Sequence, residues 1–207
     1  MSDDHERPRT WTVGIDGSPD AVAALGWAVS FAGQVGGAVV PLTAWSLPLS
    51  IRLAGAKRVL EVDRNGLEAH AGLLVAETVA EMGVDDAVQE PMVIEGHPSA
   101  VLLDRSRHGD HVVVGRRGVS DLRHRLLGSV SGYMATHAEA PVVVVPHTWT
   151  PRTCERIVVG FDGSEHAQNA VRWAMGVAPD DVTVEALIAV DVIPWLRPEL
   201  VAERYPD

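Results

Sequence analysis

The sequence predicts an α/β protein built on a doubly wound, mostly parallel five-stranded sheet and followed by a partial second copy of the same unit. Three observations carry this reading. Short apolar runs alternate with helix-patterned stretches from about residue 10 to residue 148. Two of the runs, HVVVG ending at Gly115 and PVVVVP ending at Pro146, are apolar at consecutive positions, so both of their faces must be covered, as in a parallel sheet between helical layers. Finally, VGIDGSPDAVAALGWA from Val13 returns in register as VGFDGSEHAQNAVRWA from Val159, with Asp16 and Asp162 offset by 146. A period this long marks two copies of a domain-sized unit and not a solenoid.

The elements follow in order. Thr10 to Ile15 is a β-branched run ending in Asp-Gly-Ser, and the Ala-rich stretch behind it carries Val22, Leu25 and Val29 at helical spacing: strand, tight turn, helix. Ala38 to Ala44, after the glycine pair 36 and 37, reads as the second strand. A long helix is expected from about Lys57 to Met82, with Leu60, Leu67 and Leu74 a heptad apart and Gly66 and Gly72 weakening it. Val88 to Ile94 is the expected third strand, Ser99 to Arg107 a short helix opened by Pro98, Asp110 to Gly115 the fourth strand, Ser129 to His137 a helix and Pro141 to Val145 the fifth strand. The expected organisation is a polar tail over 1–9, a domain over 10–148, and a strand–helix–strand fragment over 152–207. Half a sheet buries little, so the fragment is expected to pack on the first domain or to pair with a fragment of another chain.

Composition narrows the functions. Apolar residues make up 46% and charged residues 22%, enough for a real core. The apolar runs are too short to span a bilayer and the opening MSDDHERPRT is polar, so no membrane and a cytoplasmic location are expected. The single cysteine, Cys154, agrees with a reducing compartment. A net charge of -11 argues against a nucleic-acid backbone as partner. Six arginines (105, 107, 116, 117, 123 and 125) nevertheless lie between Arg105 and Arg125 against two aspartates, which suits a small polyanion. The nine histidines show no metal-ligand spacing. Of the six tryptophans, Trp27 and Trp173 recur at one helical position and read as core anchors, while Trp45, Trp149 and Trp195 fall in loops or ends.

In doubly wound sheets, ligands bind beyond the carboxyl ends of the strands where strand order reverses, which directs attention to Asp16 and Gly115. After the fourth strand the chain reads Gly115, two residues, Gly118, nine residues, Gly128-Ser129, then Val130 and Ser131. Glycines at 115 and 118 can take positive φ and let amides converge on phosphate. Gly128 permits close approach, and Ser129 is the expected helix cap at a terminus that favours an anion. Each feature alone is also what an ordinary turn or cap presents; their combination beside an arginine cluster points to phosphate. Arg116 and Arg117 read equally well as solvent-facing or phosphate-neutralising. No Walker A loop is available, since Lys57 is the only lysine, and the turn GIDGSPD is not a dinucleotide fingerprint.

Taken together, Thr10 to Pro146 resembles a universal stress protein domain: the Asp-Gly-Ser turn, Gly96-x-Pro98 before the third helix, and the G-2x-G-9x-G-S/T motif of the family's ATP-binding branch. The resemblance implies a Rossmann-like fold of the adenine nucleotide hydrolase type, with phosphate held by Gly115, Gly118, Gly128, Ser129, Val130 and Ser131. It implies that Asp16 contacts ribose and adenine, and that the second strand near Leu42 offers backbone to the base. Asp16 also has a local reading as an Asx turn or helix cap, and Asp162 keeps that turn in a copy without a glycine loop. The ligand implied is ATP or another adenine nucleotide, with or without Mg2+, in a homodimer formed through Val142 to Val145. The leading function is a stress-response sensor or adaptor with little or no catalysis, acting on an unidentified protein partner. The alternatives are a slow ATP hydrolase using groups such as His97 or Asp121, and a nucleotide-independent interaction module.

Overall fold

The structure is a computed structural model and describes residues 9–47, 63–119 and 127–189. The expected tail over 1–9 apart from Arg9, the helix start at 57–62, Asp121, His124, Arg123, Arg125 and Trp195 lie outside the described residues. The chain divides into two compact units, Met1–Thr153 and Cys154–Asp207.

The first unit holds β1 (Thr10–Gly14), α1 (Pro19–Val35), β2 (Ala38–Trp45), α2 (Arg64–Met82), β3 (Met92–Glu95), α3 (Pro98–Arg107), β4 (His111–Gly115), α4 (Ser129–His137) and β5 (Val142–Val145). The strands form one sheet in the order β3-β2-β1-β4-β5, and every pairing is parallel. Strand order therefore reverses between β1 and β4, whose carboxyl ends are Gly14 and Gly115. The doubly wound five-stranded fold is the one expected.

Helices cover both faces, which is why the strands are apolar throughout. Trp11 of β1 is fully buried and meets Trp27 and Phe31 of α1 edge-on at 5.9 and 5.4 Å between ring centres. On the opposite face Leu42, Val112 and Val114 pack with Leu102 of α3 and Met134 of α4. Below this core, Asp110 accepts hydrogen bonds from buried Thr12 Oγ1 at 2.8 Å and from Arg105 Nε at 2.7 Å, so a carboxylate ties β1 to α3 with its charge paired.

Two boundaries and one cap differ from expectation, each for a local reason. The third strand begins at Met92, four residues later than expected. A 3₁₀ turn occupies Asp85–Ala87, and Pro91, which has no N–H, precedes the first ladder pair, Leu42↔Met92. The described helix α2 begins at Arg64 because the Asp63 side chain caps it, accepting the Gly66 amide at 2.9 Å. At α4 the cap residue is Gly128 and not Ser129, which is the first helical residue.

In the second unit β6 (Arg156–Gly160) and β7 (Thr183–Leu187) pair in parallel around α5 (Glu165–Val177). The apolar stripe of α5 faces this pair through Ala167, Ala174 and Val177.

Candidate functional site

The site grows from two turns that face each other across the point where strand order reverses. The first, Asp16-Gly17-Ser18, links β1 to α1. Gly17 sits at φ 78°, a conformation that favours glycine. Asp16 Oδ1 accepts the Ser18 amide at 3.0 Å, which is an Asx turn. Ser18 Oγ then caps α1 by accepting the Ala21 amide at 3.2 Å. The cap is thus Ser18, and the local role of Asp16 is the turn.

The second turn is the glycine loop leaving β4, and two residues of the first turn and one of α1 grip it. Asp16 Oδ2 accepts the Val119 amide at 3.2 Å, Ser18 Oγ donates to the Arg117 carbonyl at 3.3 Å, and Asp20 Oδ1 accepts the Arg117 amide at 3.3 Å. Asp20 is buried in the first turn of α1, and its other oxygen lies 3.2 Å from His147 Nδ1.

This grip explains the loop glycines in a different way from the one expected. Neither Gly115 nor Gly118 has positive φ. What they require is space: a Cβ on Gly115 would lie 2.7 to 2.9 Å from the backbone of Asp20 and Ala21, and one on Gly118 would lie 2.5 Å from Asp16 Oδ2. The amides of Arg117 and Val119 point to carboxylates of the protein.

The far side of the loop is closed by α4. The Gly128 amide donates to the Arg116 carbonyl at 2.9 Å, and buried Ser131 Oγ donates to the same carbonyl at 2.8 Å. The Ser131 hydroxyl is thus engaged by the loop. Gly128 offers no side-chain cap, so the amides of Ser129, Val130 and Ser131 belong to an uncapped helix start with its positive dipole end.

Asp16, Leu42, Gly115, Gly118, Gly128, Ser129, Val130 and Ser131 all line one cavity of about 460 Å³. One end is hydroxyl, amide and glycine. The other is apolar and aromatic, walled by Leu42, Ala44 and Trp45 of β2, Leu67 and Leu74 of α2, and Leu102 of α3. Arg117 also lines it, and the buried Nε atoms of Arg116 and Arg117 have no hydrogen-bond partner among the described residues. Both arginines are half-buried, and Arg117 keeps an unspent Nε donor beside the cavity. His70 and His97 complete the wall; His70, Asp20 and His147 did not stand out in the sequence. No group of three metal-binding side chains occurs among the described residues.

The universal stress protein family model matches residues 9–146, the whole five-stranded unit. The chain belongs to the universal stress protein family. Among named relatives, this family member is 34% identical over 136 residues to universal stress protein Rv2005c of Mycobacterium tuberculosis, covering 64% of the present chain and 43% of the relative. To Rv1996 of the same organism it is 33% identical over 169 residues, covering 73% and 53%. The present universal stress protein thus spans about half the length of the curated relatives it matches. Solved structures share its fold: a universal stress protein from Archaeoglobus fulgidus superposes with a TM-score of 0.56 at 16% identity, covering 88% of this chain and 79% of that one. UspA from Lactobacillus plantarum does so with a TM-score of 0.51 at 19% identity, covering 68% and 99%. No described helix is long and apolar enough to cross a membrane.

Proposed function

We propose that this universal stress protein binds ATP, or another adenine nucleotide, in the cavity between the two turns and acts as a stress-response sensor or adaptor with little or no catalysis. The observation that carries the reading is the polarity of that cavity: an uncapped helix start, glycine backbone and the unspent Arg117 Nε donor at one end, an apolar cleft with an aromatic wall at the other. Its volume of about 460 Å³ suits a ligand of nucleotide size. The phosphates meet Gly115 to Gly118 and the Gly128–Ser131 helix start, where dipole and amides favour anions. Leu42 places the end of β2 against the base, and Asp16 faces the ribose.

Asp16 is the carboxylate lining the cavity and would be the protein's oxygen donor to a Mg2+ carried by the phosphates. The ion would neutralise phosphate charge there. Signalling by a bound nucleotide requires only that it favour one conformation or partner state. The setting we propose is a cytoplasmic homodimer joined through Val142 to Val145, with a protein partner and no nucleic acid.

Calorimetric titration of nucleotide-stripped protein with ATP and magnesium tests this, beside Gly118→Val, whose side chain would enter the space held by Asp16 Oδ2. The expected result is micromolar affinity, about -8 kcal/mol, lost in the variant. Absence of binding in folded wild-type protein would overturn the nucleotide reading in favour of an interaction module.

A further inference from the structure

The internal repeat separates local from long-range duties in the first turn. Asp16 and Ser18 recur as Asp162 and Ser164, and their local bonds recur with them: Asp162 Oδ1 accepts the Ser164 amide at 2.9 Å and Ser164 Oγ accepts the Ala167 amide at 3.2 Å. Asp20 does not recur; His166 stands in its place. The Asp20 carboxylate also reaches outside its own helix, to the Arg117 amide and to His147. A buried carboxylate costs free energy unless it is paired, and this one is paired to the glycine loop and to a half-exposed imidazole.

We propose that Asp20 is a positioning residue of the nucleotide site, its carboxylate anchored by His147 and holding the Arg117 amide so that the backbone of Arg116 to Gly118 is set for a polyphosphate. The inference rests on the nucleotide reading above. With the Arg117 amide turned toward α1, the chain direction through the loop is fixed, and Gly115 is seated directly on the Asp20 backbone. Asp20 does not line the cavity, so it acts on phosphate only through the loop. Its effect should therefore appear in the affinity for phosphates and not in the affinity for the nucleoside.

The test compares ATP and adenosine affinities of the full chain for wild type, Asp20→Ala, Asp20→Asn and His147→Ala. Asp20→Ala should lower the ATP-to-adenosine affinity ratio about tenfold, and Asp20→Asn, which keeps an oxygen acceptor, should hold it within about threefold of wild type. Loss of the half-exposed His147 ring should leave the fold intact and lower the ratio by about threefold, which keeps the proposal testable if Asp20→Ala does not fold. An unchanged ratio in Asp20→Ala, or in His147→Ala where the alanine variant is unfolded, would overturn the proposal, as would equal losses for both ligands in Asp20→Ala and Asp20→Asn. Wild-type protein that binds neither ligand removes the nucleotide reading itself, and this inference with it.

Discussion

Asp16 and Asp162 begin the same turn and end differently. Each accepts the amide of the serine two residues on, and the Asp162 carboxyl is held below its ordinary range chiefly by its hydrogen bonds with Ser164. Only Asp16 has its second oxygen on a glycine-loop amide. The sequence showed the repeated turn but not this second contact, because a bond to Val119 spans 103 residues and leaves no local pattern. For the same reason the need for Gly115 was readable and its cause was not. Gly115→Ala should destabilise the first unit by about 1–3 kcal/mol, since the added methyl meets backbone that cannot rotate away; chemical denaturation measures it, and an unchanged midpoint would refute the close approach. His111 supplies a pH test. Burial first, and Arg9 second, hold its imidazole below the ordinary value, with Asp110 opposing. The fold therefore favours the neutral ring, the unfolded chain takes up the proton first, and this contribution is full above about pH 6.5 and lost as pH falls toward the folded-state pKa. Melting temperatures between about pH 8 and pH 5 should fall less steeply in His111→Gln than in the wild type.

At the scale of elements, α1 does two jobs. Its apolar face covers β1 and β4 through residues such as Leu25, which is fully buried, while its first turn holds the glycine loop. Leu25→Ala should cost about 2–5 kcal/mol in denaturant unfolding. A loss well under 1 kcal/mol would contradict the packing described. Helix and strand identities were legible because consecutive valines and 3.6-residue spacing carry their own signal. Boundaries were less so wherever a single residue overrode the pattern. Pro91 delays the β3 ladder, and Asp63 starts α2 within a longer apolar period. Gly128 takes the cap that Ser129 was expected to fill, because its amide is already engaged by Arg116 and its backbone is extended at φ -71° and ψ 173°. Ser129 therefore lines the cavity as the first residue of the helix and does not cap it.

At the scale of the whole molecule, one sequence stretch occurs in two units of unequal extent. In the first, Thr12 is fully buried between β2 and β4; its counterpart at the 146-residue offset, Val158, is 48% exposed on a two-stranded sheet. The repeat made both units legible from the sequence. Every residue lining the cavity lies in the first unit, where the expected strand-order reversal and the glycine loop had directed attention. A chain ending at Thr153 should therefore keep its affinity for ATP within about threefold, as expected when the removed residues line none of the cavity. Loss of binding on this shortening, measured by calorimetry on folded protein, would show that the second unit contributes to the ligand.

Trp45 stands in the wall of the cavity, with the Arg64 guanidinium 6.0 Å above its ring and its indole nitrogen buried without a hydrogen-bond partner among the described residues. An indole in that position is an optical reporter built into the protein. A base arriving beside it changes the polarity the excited ring experiences, so its emission should follow ligand occupancy without any attached dye, and Trp45→Phe should silence that signal while the remaining five tryptophans continue to glow.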